Sequence, residues 1–127
     1  PEALLVDVQQ GLARWGDVQP YHQALRRFAQ EQSLWLAAPE HQQAPDTLAQ
    51  AHAAAHRLQG AAANLGLMAL AQAAKHVESC GADTPSTQRG QAWRQLRKVL
   101  RDTGPLALQM RIDSAAQLPA EPAPITT

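Results

Sequence analysis

The sequence predicts an all-α fold, an antiparallel four-helix bundle with a short additional N-terminal helix. Three observations lead there. The 127-residue chain is 45% hydrophobic yet only 4% aromatic, and its apolar side chains are mostly Ala and Leu, both strong helix formers. Val, Ile and Thr are sparse, so strands are poorly supplied. Apolar residues also recur in steps of three and four along several segments, the period of a helix with one buried face. A chain of this length suits one domain with one core.

Residues Leu4 to Trp15 form the first, short helix, with Asp7 as a candidate N-cap. Gly16 ends it, and Asp17 is placed to cap the next. The second helix runs from Val18 to Ala37. Pro20 falls in its first turn, where a missing N–H does no harm, and Tyr21, Leu25, Phe28 and Trp35 mark its buried face. "APEHQQAP" (Ala38 to Pro45) reads as a loop bounded by two prolines. The third helix starts near Asp46 and stops at Gly66, a residue suited to the left-handed C′ position. Its stripe is Leu48, Ala51, Ala55, Leu58, Ala62 and Leu65.

The fourth helix runs from about Leu67 to Cys80, with Leu70, Ala74 and Val77 inward. "GADTPSTQRG" reads as the next loop. A fifth helix starts near Gln91 and buries Trp93, Leu96 and Leu100; Gly104-Pro105 is expected to break or kink it. A final turn or short helix covers Leu106 to Ile112. From Ala115 the Pro/Ala-rich end reads as a solvated tail, giving a domain over 1–114 and a tail over 115–127. Four long amphipathic helices with short connections make a bundle the default, with the short first helix across one end.

Charge and composition exclude several functions. Eleven basic and 11 acidic side chains give a formal net charge of zero, which argues against a nucleic-acid footprint. The single cysteine, Cys80, rules out an intrachain disulfide framework and a cysteine-rich zinc site. No apolar run approaches the ~20 residues that cross a bilayer, and no glycine-rich phosphate loop for ATP occurs. The chain begins at Pro1 without a methionine, so it reads as a piece of a longer protein. Arg26, Arg27, Arg94, Arg97 and Lys98 read as solvated helix faces, and Cys80 as a small, half-buried filler.

The stretch "AHRLQGAAANLG", Ala55 to Gly66, carries the functional signal. A glycine inside a helix costs roughly 1 kcal/mol relative to alanine, yet Gly60 stands among alanines. His56 lies just off the core stripe, beside His52, Gln59, Gly60 and Ala63 at helical spacing. The missing Cβ at Gly60 leaves a hollow beside the imidazole, so another surface can come close. A neutral imidazole is a good nucleophile near pH 7. Phosphoryl transfer further needs placed donors for the phosphoryl oxygens; Gln59 offers an amide and Arg57 a charge.

"HRLQGAAANLG" resembles the motif of histidine phosphotransfer (HPt) domains, His-x-Leu-Lys-Gly followed by small residues and Leu/Ile-Gly. His56, Leu58, Gly60, Leu65 and Gly66 match at the family's spacing. "VDVQQGLARWGDVQPYHQALRRFAQE" resembles the family's N-terminal segment, and "ALAQAAKHVE" its helix after the glycine, which often ends in Glu. The likeness covers about Leu5 to Leu100. It implies a four-helix bundle with an exposed, phospho-accepting His56 that receives a phosphoryl group from a receiver-domain aspartate and passes it to another. It implies that Gly60 gives the receiver access. Gln59 departs from the family's lysine: it can hydrogen-bond but carries no charge, so either transfer is weaker than in the family or Arg57 or Lys75 supplies the charge.

The implied partners are receiver domains of response regulators or of a parent hybrid sensor histidine kinase, at whose C-terminal end such domains commonly sit. No nucleic acid and no direct membrane contact are expected, and the isolated domain is expected to be monomeric. The expected location is cytoplasmic. No cofactor is implied, Mg²⁺ being supplied by the receiver. Docking is expected on a modest, partly apolar patch around the histidine, built from the second and third helices, with Gly60, Ala63, His52, Leu67 and parts of the short first helix as candidates. Two other readings compete. One is an adaptor that docks a receiver without transfer, kept alive by Gln59. The other is a metal-binding bundle built on the i, i+4 pair His52 and His56.

Overall fold

The computed structural model describes residues 6–109. The element order is α1 (Val8–Trp15), α2 (Val18–Ala37), a 3₁₀ turn (Pro39–His41), α3 (Leu48–Asn64), α4 (Met68–Ser79) and α5 (Ser86–Gln109). Among the described residues there is no strand. The chain is a four-helix bundle with one short helix before it. The expected helix start at Leu4, the domain limit at 114 and the tail from 115 lie outside the described residues. No described helix is long and apolar enough to cross a membrane.

Local chemistry sets most of the boundaries. The Asp7 side chain accepts from the Gln10 N–H at 3.1 Å and starts α1. Gly16, at φ +76°, ends it. Asp17 holds the cap position of α2 in an extended conformation, but its side chain makes no cap hydrogen bond there. Thr47, rather than Asp46, caps α3, accepting from the Gln50 N–H at 3.1 Å. At the far end Leu67 N donates to Ala62 O (2.8 Å) and Gly66 N to Ala63 O (3.3 Å), the paired bonds of a Schellman turn. Gly66 sits at φ +75°, so α4 turns back antiparallel to α3.

The α4 helix lies between α3 and α5, and α5 packs along α2. Tyr21, Leu25, Ala55, Ala62, Leu70, Ala74, Trp93, Leu96 and Leu100 meet in the core, each 1% exposed or less. Burying each leucine contributes about 2 kcal/mol. The α1 helix covers the end of the bundle at the α3–α4 turn. Asp7 N donates to Gly66 O (2.6 Å) and Trp15 Nε1 to Asn64 O (2.9 Å). Gly11 is small because the Tyr21 ring occupies the space a Cβ would need. Tyr21 in turn donates its hydroxyl to Leu65 O at 2.8 Å. Burial, and then the nearby Asp7 charge, push its pKa up to about 12, so it stays a neutral donor at physiological pH.

Four expectations need correction. The α2–α3 connection is not a plain loop: it contains the 3₁₀ turn, and α5 holds it. Trp93 Nε1 donates to His41 O (3.0 Å), and Arg97 Nη1 to both Leu36 O (3.1 Å) and His41 O (3.0 Å). Arg97 is therefore half-buried and not a solvated residue, while His41 stacks on Trp35 at 4.0 Å between centroids. The fifth helix starts at Ser86, not Gln91: Pro85 O accepts from Arg89 N (3.0 Å), and a proline beside a first turn loses no intrahelical bond.

That helix also runs unbroken through Gly104-Pro105 to Gln109, so Leu106 continues it; residues 110–112 lie outside the described range. Tertiary burial overrides the local breakers. Leu100, Thr103 and Ala107 are fully buried on one face, while Pro105 is on the exposed face, where water replaces a missing donor most easily. Gly104 is needed because the Gln32 amide of α2 fills the place of its Cβ.

Candidate functional site

His56 stands at the midpoint of α3, one position off the buried line through Ala55 and Leu58. Its side chain is 76% exposed. Nδ1 lies 2.7 Å from Glu78 Oε2 on α4, and Glu78 is itself 24% exposed. A carboxylate only accepts, so Nδ1 carries the hydrogen and the lone pair sits on Nε2. Among the described residues no group hydrogen-bonds Nε2. The ring is thus held by the Glu78 carboxylate at one nitrogen and open to solvent at the other.

The remaining expected residues distribute around this ring. Gly60 is exposed, and a Cβ there would meet nothing within 4 Å. The hollow therefore opens to solvent and is not a helix-packing point. Gln59 and Ala63 are half-buried on the flank facing α4. His52, half-buried one turn before His56, places Nε2 2.7 Å from Cys80 O and so ties α3 to the end of α4. Arg57 lies on the other side of the ridge. It lines a cavity with the 39–46 connection and a smaller groove with Phe28, Glu31 and Trp35 of α2. Leu67, expected on the docking face, is instead 0% exposed, buried where its N–H closes the Schellman turn on Ala62 O.

Glu78 is the residue whose role the sequence left unassigned, although the resemblance noted a glutamate ending that helix. The turn centred on Gly66 was the available signal: counting outward from it along two antiparallel helices brings 56 and 78 to nearly the same level. For the metal reading, no group of three His, Cys, Asp or Glu side chains comes together among the described residues.

The family model of the Hpt domain matches residues 16–117. No curated protein and no solved structure matches the chain. Hpt domains are carriers in two-component phosphorelays. They catalyse no reaction of their own, and they dock onto receiver domains of response regulators and hybrid kinases. The matched span takes in all four long helices, with the solvent-facing histidine near its middle, and on that extent of agreement the chain belongs to the Hpt domain family.

Proposed function

We propose that His56 is the phospho-accepting residue of this phosphocarrier and that Nε2 is the atom that bonds phosphorus. The observation that carries the reading is a 76% exposed ring whose other nitrogen is held by Glu78 at 2.7 Å. The Nε2 lone pair attacks the phosphorus of a receiver's aspartyl phosphate. The P–O bond breaks, and its electron pair leaves with the aspartate carboxylate. No proton has to move: Nδ1 keeps its hydrogen, the ring becomes cationic, and the Glu78 carboxylate stabilises that charge. Transfer to the next receiver is the same step reversed, with Mg²⁺ held on the receiver side.

Gly60 and Ala63 leave room for the receiver's aspartate loop above the ring, and the Gln59 amide serves as a neutral donor to a phosphoryl oxygen. His52 borders the site and stiffens it through the Cys80 carbonyl. Arg57 and the apolar groove beside it extend the docking face toward α2. Contacts of this transient kind are small. The test is to mix the chain with a phosphorylated receiver and Mg²⁺ and look for acid-labile, base-stable label. A folded chain that binds receivers and takes no label would favour the adaptor reading.

Two variants probe the details. Glu78→Gln removes the charge opposite the ring and frees the tautomer; transfer is expected to slow about tenfold with label still on His56, a loss of roughly 1.4 kcal/mol in the barrier. A rate equal to wild type in rapid-quench measurements would remove Glu78 from the chemistry. Gly60→Leu fills the hollow. It is expected to block transfer from a receiver while raising helix stability by up to about 1 kcal/mol. Unchanged transfer kinetics would show that access does not depend on Gly60.

A further inference from the structure

A phosphoryl group on Nε2 would bring a charge of about −2 close to the Glu78 carboxylate, which already sits 2.7 Å from Nδ1 of the same ring. The cationic ring offsets only one of these roughly three negative charges, which leaves a place for a second cation beside the phosphoryl group, and Gln59, the polar neighbour one turn along α3, carries no charge. The long basic side chains close by in sequence and fold are Arg57 on α3 and Lys75 on α4. Among the described residues neither has an ion-pair partner.

Their positions separate them. Arg57 is one residue after His56 and therefore about 100° further round the helix. Its side chain lines the cavities on the α2 side, among Phe28, Glu31 and Trp35, away from the α4 flank where Glu78 meets the ring. Lys75 is three residues before Glu78, which puts it on the same flank of α4 one turn away. The register of the α3–α4 hairpin is marked by two contacts, His56 with Glu78 and His52 with Cys80. In that antiparallel register the step from Glu78 to Lys75 runs alongside the step from His56 to Gln59 and Gly60. Lys75 is exposed, and the surface between it and the ring is open at Gly60, where a Cβ would meet nothing within 4 Å.

We infer that Lys75 is the cation that binds the phosphoryl group on His56, reaching it from α4 across the Gly60 hollow, with Arg57 left to the docking face. The inference rests on the reading of His56 as phospho-acceptor. A flexible four-carbon stem with three donors suits this task, since the ammonium can follow the phosphoryl group as it arrives and leaves.

The experiment labels the 127-residue chain with phosphoramidate, a small phosphoryl donor that needs no docking face, and follows the phosphohistidine by ³¹P NMR against pH. In Lys75→Ala labelling is expected to slow about tenfold, and the midpoint of the phosphoryl titration to rise, because losing a nearby cation disfavours the dianion relative to the monoanion. Lys75→Arg is expected to restore both, and so is Gln59→Lys in the Lys75→Ala background, which returns the charge from the facing helix. Arg57→Ala is expected to leave both unchanged. A wild-type rate and midpoint in Lys75→Ala, or loss of both in Arg57→Ala, would overturn the inference while leaving His56 as acceptor. A folded wild-type chain whose His56 takes no label would overturn both readings together.

Discussion

Replacing His56 with glutamine is expected to yield a folded domain that accepts no phosphoryl group. The ring is 76% exposed and makes one side-chain contact, to a Glu78 that also reaches solvent. Glutamine is the better helix former of the two, so stability should stay within about 0.5 kcal/mol, as for most surface changes. Label transferred from a phosphorylated receiver should fall to background, since an amide offers no nucleophilic lone pair. Four further histidines in the chain make the control informative. His52→Gln should still take label, because His52 Nε2 is engaged with Cys80 O at 2.7 Å. Full label in His56→Gln would move the acceptor to another residue.

Substituting Gly66 with alanine is expected to give the largest loss of stability. At φ +75° any other residue is strained by about 1 kcal/mol. The added Cβ would also run into the Asp7 carbonyl and approach Gly11 N to 3.0 Å and Gly11 Cα to 3.2 Å. That displaces α1 and breaks the bond from Asp7 N to Gly66 O. Strain and overpacking together should cost about 2–4 kcal/mol, read as a lower urea midpoint. Gly16→Ala isolates the first part: Gly16 has φ +76° but nothing within 4 Å of its Cβ position. It should therefore lose only about 1 kcal/mol. Equal losses in the two variants would show that the approach of α1 contributes nothing.

How far each feature could be read from the sequence follows from the range of the interaction behind it. Asp7, Gly16 and Gly66 act within one turn of their own position, through a cap or a left-handed dihedral, so their roles were legible from residue type and spacing. The buried stripes of α2, α3 and α4 follow from periodicity for the same reason. The breaks expected at Gly104-Pro105 and before Gln91 failed because local propensity competes there with packing. Leu100 and Ala107 are fully buried on the face opposite Pro105, and their burial outweighs one missing backbone bond.

The site divides along the same line. His56, its exposure and the bare surface at Gly60 are properties of one helix, so spacing within α3 and a family motif determined them. The fold class and membership of the Hpt family were likewise fixed by residues near one another in the chain. Tertiary structure alone decided that Glu78 holds Nδ1 and thereby leaves Nε2 free. It also decided that His52 fastens to the Cys80 carbonyl, that Arg97 clamps the 39–41 turn, and that Arg57 faces α2. Each of these depends on the register between helices, which is set by the Gly66 turn and by close-packed alanines, and no pattern confined to a single helix contains that register.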